Sequence, residues 1–161
     1  MDLAHALTDV TDLEAVLVSH YPALQRRLTV VLHDADAAQD IAQAAMTEAL
    51  EHRGRFSGGD ARAWLYTIGL RLAFNELRRV RRLRSRTADR EPTWAMTTDP
   101  DLWLALGDLE PRQRAALLLS TLEGYTHAEV GTILGVAEGT VSSWLSRTKD
   151  RLRRVLMEEP R

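Results

Sequence analysis

The stretch Tyr125-Thr-His-Ala-Glu-Val-Gly-Thr-Ile-Leu-Gly-Val-Ala-Glu-Gly-Thr-Val-Ser-Ser-Trp-Leu-Ser-Arg147 predicts two short helices joined by a tight turn. Gly131 supplies a small residue where the second helix crosses the first, and Gly135 supplies a turn residue that tolerates positive φ. Apolar residues would lock the pair together: Val130, Leu134, Val141 and Leu145. This pattern is typical of a helix-turn-helix, whose second helix, here residues 138–152, enters a DNA major groove.

The second predicted helix is basic in its C-terminal half. Five residues contribute: Arg147, Lys149, Arg151, Arg153 and Arg154. They would attract DNA phosphates and would also complement the negative end of the helix dipole. Because short motifs recur by chance, an ordinary helical hairpin with a basic face is the alternative at this point.

Composition limits the other classes of function. The chain has 161 residues, a formal net charge of −2 and no cysteine, so disulfides, thiolate metal sites and cysteine nucleophiles are excluded. No apolar run approaches the roughly 20 residues that a membrane helix needs, and the first ten residues lack a signal-peptide layout. We therefore expect a cytoplasmic protein without membrane insertion. The net charge does not exclude nucleic acid, because arginine is concentrated in two segments.

Helical periodicity covers most of the chain and strand alternation is nearly absent, which predicts an all-α fold. Helices are expected at residues 13–32, from Asp34 or Asp36 to His52, and at 61–84. Pro22 marks a kink or a boundary between two shorter helices. The predicted buried positions of the three helices are Val16, Leu17, His20, Leu24, Leu28 and Val31; then Ala38, Ile41, Ala42, Ala45, Met46, Ala49 and Leu50; then Leu65, Ile68, Leu72 and Leu77.

Proline, threonine and the loss of periodicity predict a flexible linker at residues 87–100. It separates two small helical domains, residues 1–86 and 101–161. In the second domain, helices are expected at residues 101–109 and from Pro111, a residue suited to a first helical turn.

Another basic segment, residues 78–86, ends the third predicted helix. Aromatic and basic residues accompany it in that helix and in the loop before it: Trp64, Tyr66, Phe74, Arg53, Arg55 and Phe56. Bases stack on flat rings while guanidinium groups hold the backbone, so this combination suits single-stranded nucleic acid. For Trp64 and Phe74, core packing is the alternative. For the arginines, the alternative is a solvated helix end.

Four segments, in order, resemble the sigma-70 family of bacterial RNA polymerase sigma factors, in its short extracytoplasmic-function branch. Residues 38–43 (AQDIAQ) resemble the pattern A-x-D-x-x-Q, and residues 62–68 (RAWLYTI) resemble R-x-W-L-x-x-I. Residues 109–114 (LEPRQR) resemble L-P-x-R-Q-R. Residues 123–143 are similar to the family's E-G-x-x-x-x-E-I-A-x-x-L-G and G-T-V-x-S patterns.

The resemblance implies two DNA contacts and one docking site on core RNA polymerase. Candidates for the upstream, minus-35 promoter element are Thr140, Ser142, Ser143, Trp144, Arg147, Lys149 and Arg151. Candidates for the minus-10 element, where the loop at residues 53–60 would accept an extruded base, are Arg53, Arg55, Phe56, Arg62, Trp64, Arg71, Asn75, Arg78 and Arg79. Docking on the coiled coil of the largest polymerase subunit is implied for Asp40, Gln43 and Glu48.

Further partners are implied in the same way. The C-terminal domain would meet the polymerase flap, the linker would thread toward the active cleft, and an anti-sigma factor is a candidate partner. No catalysis, cofactor or metal is expected. Asp34 and Asp36 fit helix caps better than a metal site. The five histidines, His5, His20, His33, His52 and His127, lack ligand spacing.

Three departures from the family pattern keep two alternatives open. Ser142 and Trp144 replace basic residues of the recognition helix, and Arg71 stands where asparagine is usual. These changes are compatible with an altered promoter sequence. They are also compatible with a diverged adaptor that binds polymerase without initiating. The altered promoter is the favoured interpretation, because both DNA-facing halves retain arginine. A free-standing helix-turn-helix regulator is the other alternative, but it leaves the segments at 38–43 and 62–68 unexplained.

Overall fold

The computed structural model describes residues 10–84 and 99–157. Within these ranges lie seven α-helices: α1 (Val10–Leu32), α2 (Ala35–Glu51), α3 (Ala61–Arg84), α4 (Pro100–Gly107), α5 (Pro111–Thr121), α6 (His127–Leu134) and α7 (Glu138–Met157). A 3-10 turn at Arg53–Arg55 follows α2, and no strand occurs in the described ranges. The predicted all-α class is confirmed.

α1 is one continuous helix that passes through Pro22, so the predicted boundary there is wrong. Proline removes one helical hydrogen bond, yet Leu17 and Leu24 on either side are fully buried and hold the helix in the core. Val16 is also misplaced by the sequence pattern, because it is 38% exposed while Leu13 is buried. Leu13 precedes Leu17 by one turn and therefore shares its face, which Val16 does not.

α2 packs against both α1 and α3, which also pack on each other. It begins at Asp34, whose carboxylate accepts a hydrogen bond of 3.0 Å from the amide of Ala37. The predicted buried face is confirmed, with four fully buried alanines at its centre: Ala38, Ala42, Ala45 and Ala49. Ile41, Met46 and Leu50 are partly buried beside them.

α3 is buried on more than one side, because it packs against α1 and α2 and also against α6. Leu65 and Ile68 are buried as predicted, whereas Leu72 and Leu77 are only partly buried. The additional buried residues are Tyr66, Leu70 and Ala73. A single-stripe prediction misses them because it assumes that one face of a helix meets one partner.

The predicted helix-turn-helix is present as α6, a turn and α7. Gly135 closes α6 with φ of 68°, a left-handed conformation that favours glycine. At Gly131 a Cβ atom would lie 2.7 Å from the carbonyl oxygen of Val136, so only glycine allows this close approach. The predicted locking residues are all buried: Val130, Leu134, Val141 and Leu145.

The two predicted helical domains pack on each other through α1 with α5 and through α3 with α6. Residues 85–98, most of the predicted linker, lie outside the described residues. The end of the predicted linker is helical instead, because Pro100 is the first residue of α4 and Asp99 is its N-cap. The Asp99 carboxylate accepts hydrogen bonds from the next amides, which fixes the start of the helix.

A buried guanidinium joins α1 to the second half of the chain. Arg114 is 5% exposed and donates to the carbonyl oxygen of Val31 at 2.7 and 3.1 Å. It also donates to the carbonyl oxygens of Leu106, Gly107 and Leu109 at 2.8 to 3.1 Å. Burial lowers the pKa of Arg114 to about 10, which leaves it charged at neutral pH. The carbonyls of Val31, Leu106 and Gly107 lie at helix C-termini, where a positive charge is favoured.

The end of α1 makes a second contact with α4. His33 follows α1 with φ of 55°, and its ring stacks on Trp103 at 3.9 Å between ring centroids. Burial, together with the nearby charge of Arg114, lowers the pKa of His33. The contact therefore favours a neutral imidazole.

Candidate functional site

The recognition helix α7 has an exposed polar face opposite its buried stripe. Ser143 and Arg147 lie on this face, and Arg147 donates to the hydroxyl of Ser143 at 3.0 Å and to its carbonyl oxygen at 3.3 Å. Thr140 is half-buried one turn earlier, and Lys149 is exposed. Arg151 lies 3.7 Å from Asp108 in an exposed ion pair. The structure thus brings most of the predicted minus-35 residues onto one accessible helix.

Two of the predicted minus-35 residues are placed differently. Ser142 is half-buried, and its hydroxyl is hydrogen-bonded to Nδ1 of His127 on α6 at 2.8 Å. Trp144 is half-buried against the core and lines a groove that it shares with Phe74 and Arg78 of α3. Trp144 therefore lies where the two halves of the molecule meet.

A hydrogen-bonded ion cluster links the start of α3 to the α5–α6 connection. We call it the Glu123 cluster; its members are Arg27, Asp60, Arg62, Tyr66, Glu123 and Tyr125. The Glu123 carboxylate accepts from Arg27 at 2.7 Å, from Tyr66 at 2.9 Å and from Arg62 at 3.2 Å. Its side chain is only 7% exposed. The predicted minus-10 residue Arg62 is therefore occupied by an interdomain contact.

Tyr125 completes this cluster. Its hydroxyl accepts a hydrogen bond from Arg62 and donates one to Asp60, both at 2.9 Å. The Arg62 guanidinium also lies 4.7 Å from the centre of the Tyr125 ring, within the range of a cation–π contact. One guanidinium thus binds both a carboxylate and an aromatic ring of the C-terminal half.

The cluster shifts the titration of its members. Burial alone would raise the pKa of Glu123, but the hydrogen bonds from Arg27 and Tyr66 and the charges of both arginines outweigh it and lower the pKa. Burial and the hydrogen bond to Glu123 raise the pKa of Tyr66. Burial and the hydrogen bond to Asp60 raise the pKa of Tyr125 to about 12. Glu123 is therefore ionised, and both tyrosines are protonated, across the neutral range.

The loop between α2 and α3 is exposed apart from Phe56. Arg53 and Arg55 form its 3-10 turn with their side chains in solvent. Phe56 packs against Trp64 of α3, with ring centroids 5.4 Å apart and the planes tilted by 46°. Both rings are partly buried against the core. The structure therefore gives these rings a packing role and leaves part of each accessible.

The C-terminal half of α3 carries the remaining predicted minus-10 residues. Arg71 pairs with Glu48 of α2, and Arg78 donates to Asn75 one turn earlier. Arg79 pairs with Glu76 at 2.7 Å. These side chains are mostly exposed and form a basic strip along α3.

This basic strip adjoins the C-terminal half of the chain. Arg112 of α5 lies 4.7 Å from the centre of the Phe74 ring on α3. It also donates to the carbonyl oxygen of Leu134, the last residue of α6, at 3.3 Å. Phe74 is therefore engaged by the second half of the molecule, and the strip is partly covered there.

The predicted polymerase-docking residues separate into two groups. Asp40 and Gln43 are exposed on the outer face of α2. Glu48 is instead half-buried and paired with Arg71, on the side of α2 that faces α3. Asp40 and Gln43 therefore share an exposed face of α2, and Glu48 lies outside that face.

Sequence reasoning missed several residues that organise these surfaces. Tyr125 is the first residue of the segment that suggested the helix-turn-helix, and Glu123 precedes it by two residues. Nothing there indicated that Glu123 pairs with a residue 61 positions earlier in the chain. Arg114 lay within the 109–114 motif without an assigned role. His127 was considered only as a metal ligand. Tyr66 was considered only as a base-stacking ring. The one available signal for an interdomain contact was the charged and aromatic residues on either side of Gly124, in the connection between α5 and α6.

Other kinds of site have little support among the described residues. Residues 10–84 and 99–157 contain no group of three or more histidine, aspartate or glutamate side chains arranged to hold a metal ion. None of their helices is both long enough and apolar enough to cross a lipid bilayer.

Family profiles match both halves of the chain. The profile described as sigma-70 region 2 matches residues 17–83, and the one described as sigma-70, region 4 matches residues 101–152. The chain is 30% identical to the RNA polymerase sigma factor CarQ of Myxococcus xanthus over 155 residues, covering 90% of this chain and 89% of CarQ. It is also 30% identical over 165 residues to the ECF RNA polymerase sigma factor SigM of Mycobacterium tuberculosis, covering 95% of this chain and 81% of SigM.

Solved structures share this fold. The sigma factor RpoE of Bartonella quintana, crystallised in complex with the anti-sigma factor NepR, superposes with a TM-score of 0.82 at 26% identity, covering 92% of this chain and 99% of RpoE. The extracytoplasmic function sigma factor SigJ of M. tuberculosis gives a TM-score of 0.61 at 25% identity, covering 90% of this chain and 53% of SigJ.

Proposed function

This chain belongs to the sigma-70 family of RNA polymerase sigma factors, in the extracytoplasmic-function branch, and on that premise we propose how its surfaces divide the work of initiation. α2 docks on core RNA polymerase, α7 reads the minus-35 element, and α3 with its preceding loop captures the minus-10 element. The observation that carries this division is the placement of three accessible surfaces on three different helices. Each surface has the chemistry of its target.

The minus-35 contact uses the N-terminal half of α7. Thr140 and Ser143 lie where a recognition helix meets base edges and phosphates. Arg147, held by Ser143 at 3.0 Å, presents a guanidinium with a fixed orientation, and bidentate contact of arginine with guanine is a common specific interaction. Lys149 and Arg151 add phosphate attraction, which is independent of sequence.

The minus-10 contact uses the basic strip of α3 and the loop at residues 53–60. Extruding a base from the duplex costs a few kcal/mol. Stacking on partly exposed rings offsets part of this cost, at about 1–3 kcal/mol per base. Phe56 and Trp64 are the rings available at the loop, and Arg78 and Arg79, about four turns farther along α3, hold the backbone.

Arg62 can serve the minus-10 element only when it leaves the Glu123 cluster. In the described packing its guanidinium is occupied by Glu123 and Tyr125. We therefore propose that the two halves separate when the protein binds polymerase, which frees Arg62 and uncovers Phe74. Polymerase binding would provide the free energy for this opening.

The same premise sets the remaining assignments. The protein acts by binding in the cytoplasm, where polymerase and promoter DNA are found, and it has no catalytic activity of its own. RpoE of B. quintana forms a complex with the anti-sigma factor NepR, and the fold of RpoE superposes closely on that of this chain. An anti-sigma factor that holds the two halves together is accordingly a proposed partner of this chain.

The decisive experiment reconstitutes the protein with bacterial core polymerase and follows promoter binding and melting separately. Arg147→Ala should lose discrimination between a promoter and the same promoter with a scrambled upstream element. Arg79→Ala should keep that discrimination but reduce permanganate reactivity of the minus-10 region, with recovery on a pre-melted template. Arg26→Ala, an exposed arginine of α1 outside the proposed surfaces, is the matched control.

Two outcomes would contradict this division. Equal effects of Arg147→Ala and Arg79→Ala on every template would show that the two surfaces do not act separately. Stable binding to polymerase without transcripts from any promoter in a randomised library would favour the adaptor alternative.

A further inference from the structure

A polar contact joins the two helices of the helix-turn-helix. Nδ1 of His127, the first residue of α6, lies 2.8 Å from the hydroxyl oxygen of Ser142 in the second turn of α7. The surrounding contact between the helices is apolar, through residues such as Val130, Val141 and Leu145. Both members of the pair are half-buried, so the contact lies at the edge of this apolar interface.

That edge faces the proposed DNA target. In a helix-turn-helix, the N-terminal residues of the second helix contact base edges, while the first helix crosses the DNA backbone. Ser142 stands between Thr140 and Ser143 in the first part of α7, and His127 opens α6. The pair therefore occupies the place where both helices approach the duplex.

The hydrogen bond changes what Ser142 can recognise. A free serine hydroxyl rotates and serves as donor or acceptor, so it discriminates poorly among bases. If Nδ1 carries no proton, Ser142 donates to it and offers only acceptor lone pairs to the groove. If Nδ1 carries the proton, Ser142 accepts from it and its own O–H remains free to donate. In the first tautomer the imidazole restricts Ser142 to accepting, and in the second it fixes the direction in which the O–H and the remaining lone pair point.

We propose that His127 is a positioning residue for promoter specificity, which orients the hydroxyl of Ser142 so that it reads one base pair of the upstream element. This inference rests on the proposed function of α7 as the minus-35 reader. It explains how a short, uncharged side chain contributes specificity on the recognition helix. The base is read by Ser142, and His127 determines the direction of its hydrogen bond.

The test is selection of initiated transcripts from a library with a randomised upstream element, using the full chain with bacterial core polymerase. Five variants are compared with the wild type: Ser142→Ala, His127→Ala, the double variant, His127→Asn and Thr132→Ala. Asparagine places an amide nitrogen or oxygen near the position of Nδ1 and can restore the hydrogen bond. Thr132 is exposed on α6, where its hydroxyl bonds to the carbonyl oxygen of Ala128, and it serves as the control.

We expect the wild type to prefer one base pair at one library position by about tenfold. Ser142→Ala and His127→Ala should each reduce that preference to about twofold at the same position, and the double variant should lose no more, because the two residues act as a unit. His127→Asn should recover most of the preference, and Thr132→Ala should keep it. Circular dichroism of each variant confirms that the helices are retained.

Five results would overturn the inference. His127→Ala could lower transcription equally on all templates, which would indicate a phosphate contact. The two single variants could change different library positions, or asparagine could behave like alanine. If the wild type itself enriches no base at any position of the upstream element, the proposed function fails together with this inference. Enrichment by the wild type that His127→Ala leaves unchanged would sink this inference alone.

Discussion

Replacing Glu123 by glutamine should open the molecule without unfolding either half. The substitution keeps the shape of the side chain and removes its charge. The carboxylate of Glu123 accepts from Arg27, Arg62 and Tyr66, which all belong to the N-terminal half. A neutral amide cannot pair with two guanidinium groups at once, and its NH₂ group faces one of the former donors.

The magnitude follows from the geometry of the two ion pairs. A hydrogen bond to a charged group contributes roughly 1.5–3 kcal/mol, and removing one partner of a buried pair costs about 3–5 kcal/mol. Solvent screens this cluster in part, because the side chains of Arg27 and Arg62 are 22% and 32% exposed. Glutamine also retains some of the hydrogen bonds. We expect a loss of about 3 kcal/mol in the closed state, or about a hundredfold in the opening equilibrium.

The chain contains no cysteine, so single labels can be introduced cleanly. Fluorophores on Gln39→Cys in α2 and Ala128→Cys in α6 would report the distance between the halves by single-molecule energy transfer. Both positions are exposed and lie outside the Glu123 cluster. Glu123→Gln should shift the population toward low transfer efficiency. It should also raise the affinity of the free protein for a single-stranded minus-10 oligonucleotide, because Arg62 is released.

Asp150→Asn is the matched control, since Asp150 pairs with Arg153 at 3.3 Å on the surface of α7 and both side chains are more than 60% exposed. Exposed pairs of this kind contribute at most about 1 kcal/mol. An unchanged distance distribution in Glu123→Gln, with unchanged oligonucleotide affinity, would refute the role of this cluster in holding the halves together.

Three further expectations concern docking, the turn and acid. The double variant Asp40→Ala, Gln43→Ala should bind core polymerase more weakly while its helicity is kept. The control Glu51→Ala, at another exposed position of α2, should have little effect. A titration of core polymerase with labelled protein measures both affinities, and equal affinities of the double variant and the wild type would count against the docking face. Gly131→Ala should cost about 1–3 kcal/mol or more in thermal unfolding, because its Cβ would lie 2.7 Å from a backbone oxygen of the turn that cannot move aside; an unchanged melting temperature would show that the turn adapts. Because the pKa of Glu123 is lowered, its stabilisation of the closed state is present above the ordinary value of 4.5 and is lost as pH falls through the lower folded value. Energy transfer between the two labels should therefore drop on acidification below that folded value. A drop of equal size in Glu123→Gln would show that other groups cause the opening.

The local structure was largely predictable because it depends on local chemistry. Asp34 caps α2 as either of two predicted aspartates would, and Gly131 and Gly135 hold the turn for the reasons that their spacing indicated. The buried alanine face of α2 follows directly from its periodicity. Of the two outcomes predicted at Pro22, a kink or a helix boundary, the boundary does not occur. The burial of Leu17 and Leu24 outweighs one missing hydrogen bond, and helix propensity does not include this tertiary contribution.

The candidate site was less predictable because its residues meet only in the folded molecule. Arg62 was predicted from its motif, but its partner Glu123 follows 61 residues later. Ser142 was predicted as a DNA contact, whereas its bond to His127 depends on how α6 crosses α7. Trp144 was predicted as a DNA contact from its position on the recognition helix. Its place in the groove beside Phe74 depends on how the two halves pack.

The buried guanidinium of Arg114 joins α1 to the C-terminal half of the chain, and its choice of partners affects how this joint evolves. All of its described acceptors are main-chain oxygens, including that of Val31, and every amino acid supplies such an oxygen. These hydrogen bonds therefore do not depend on the side chains of the partner residues, and a comparison of relatives should find no position that covaries with residue 114. The whole attachment is encoded by one codon, so a single nucleotide change that replaces this arginine removes it at once.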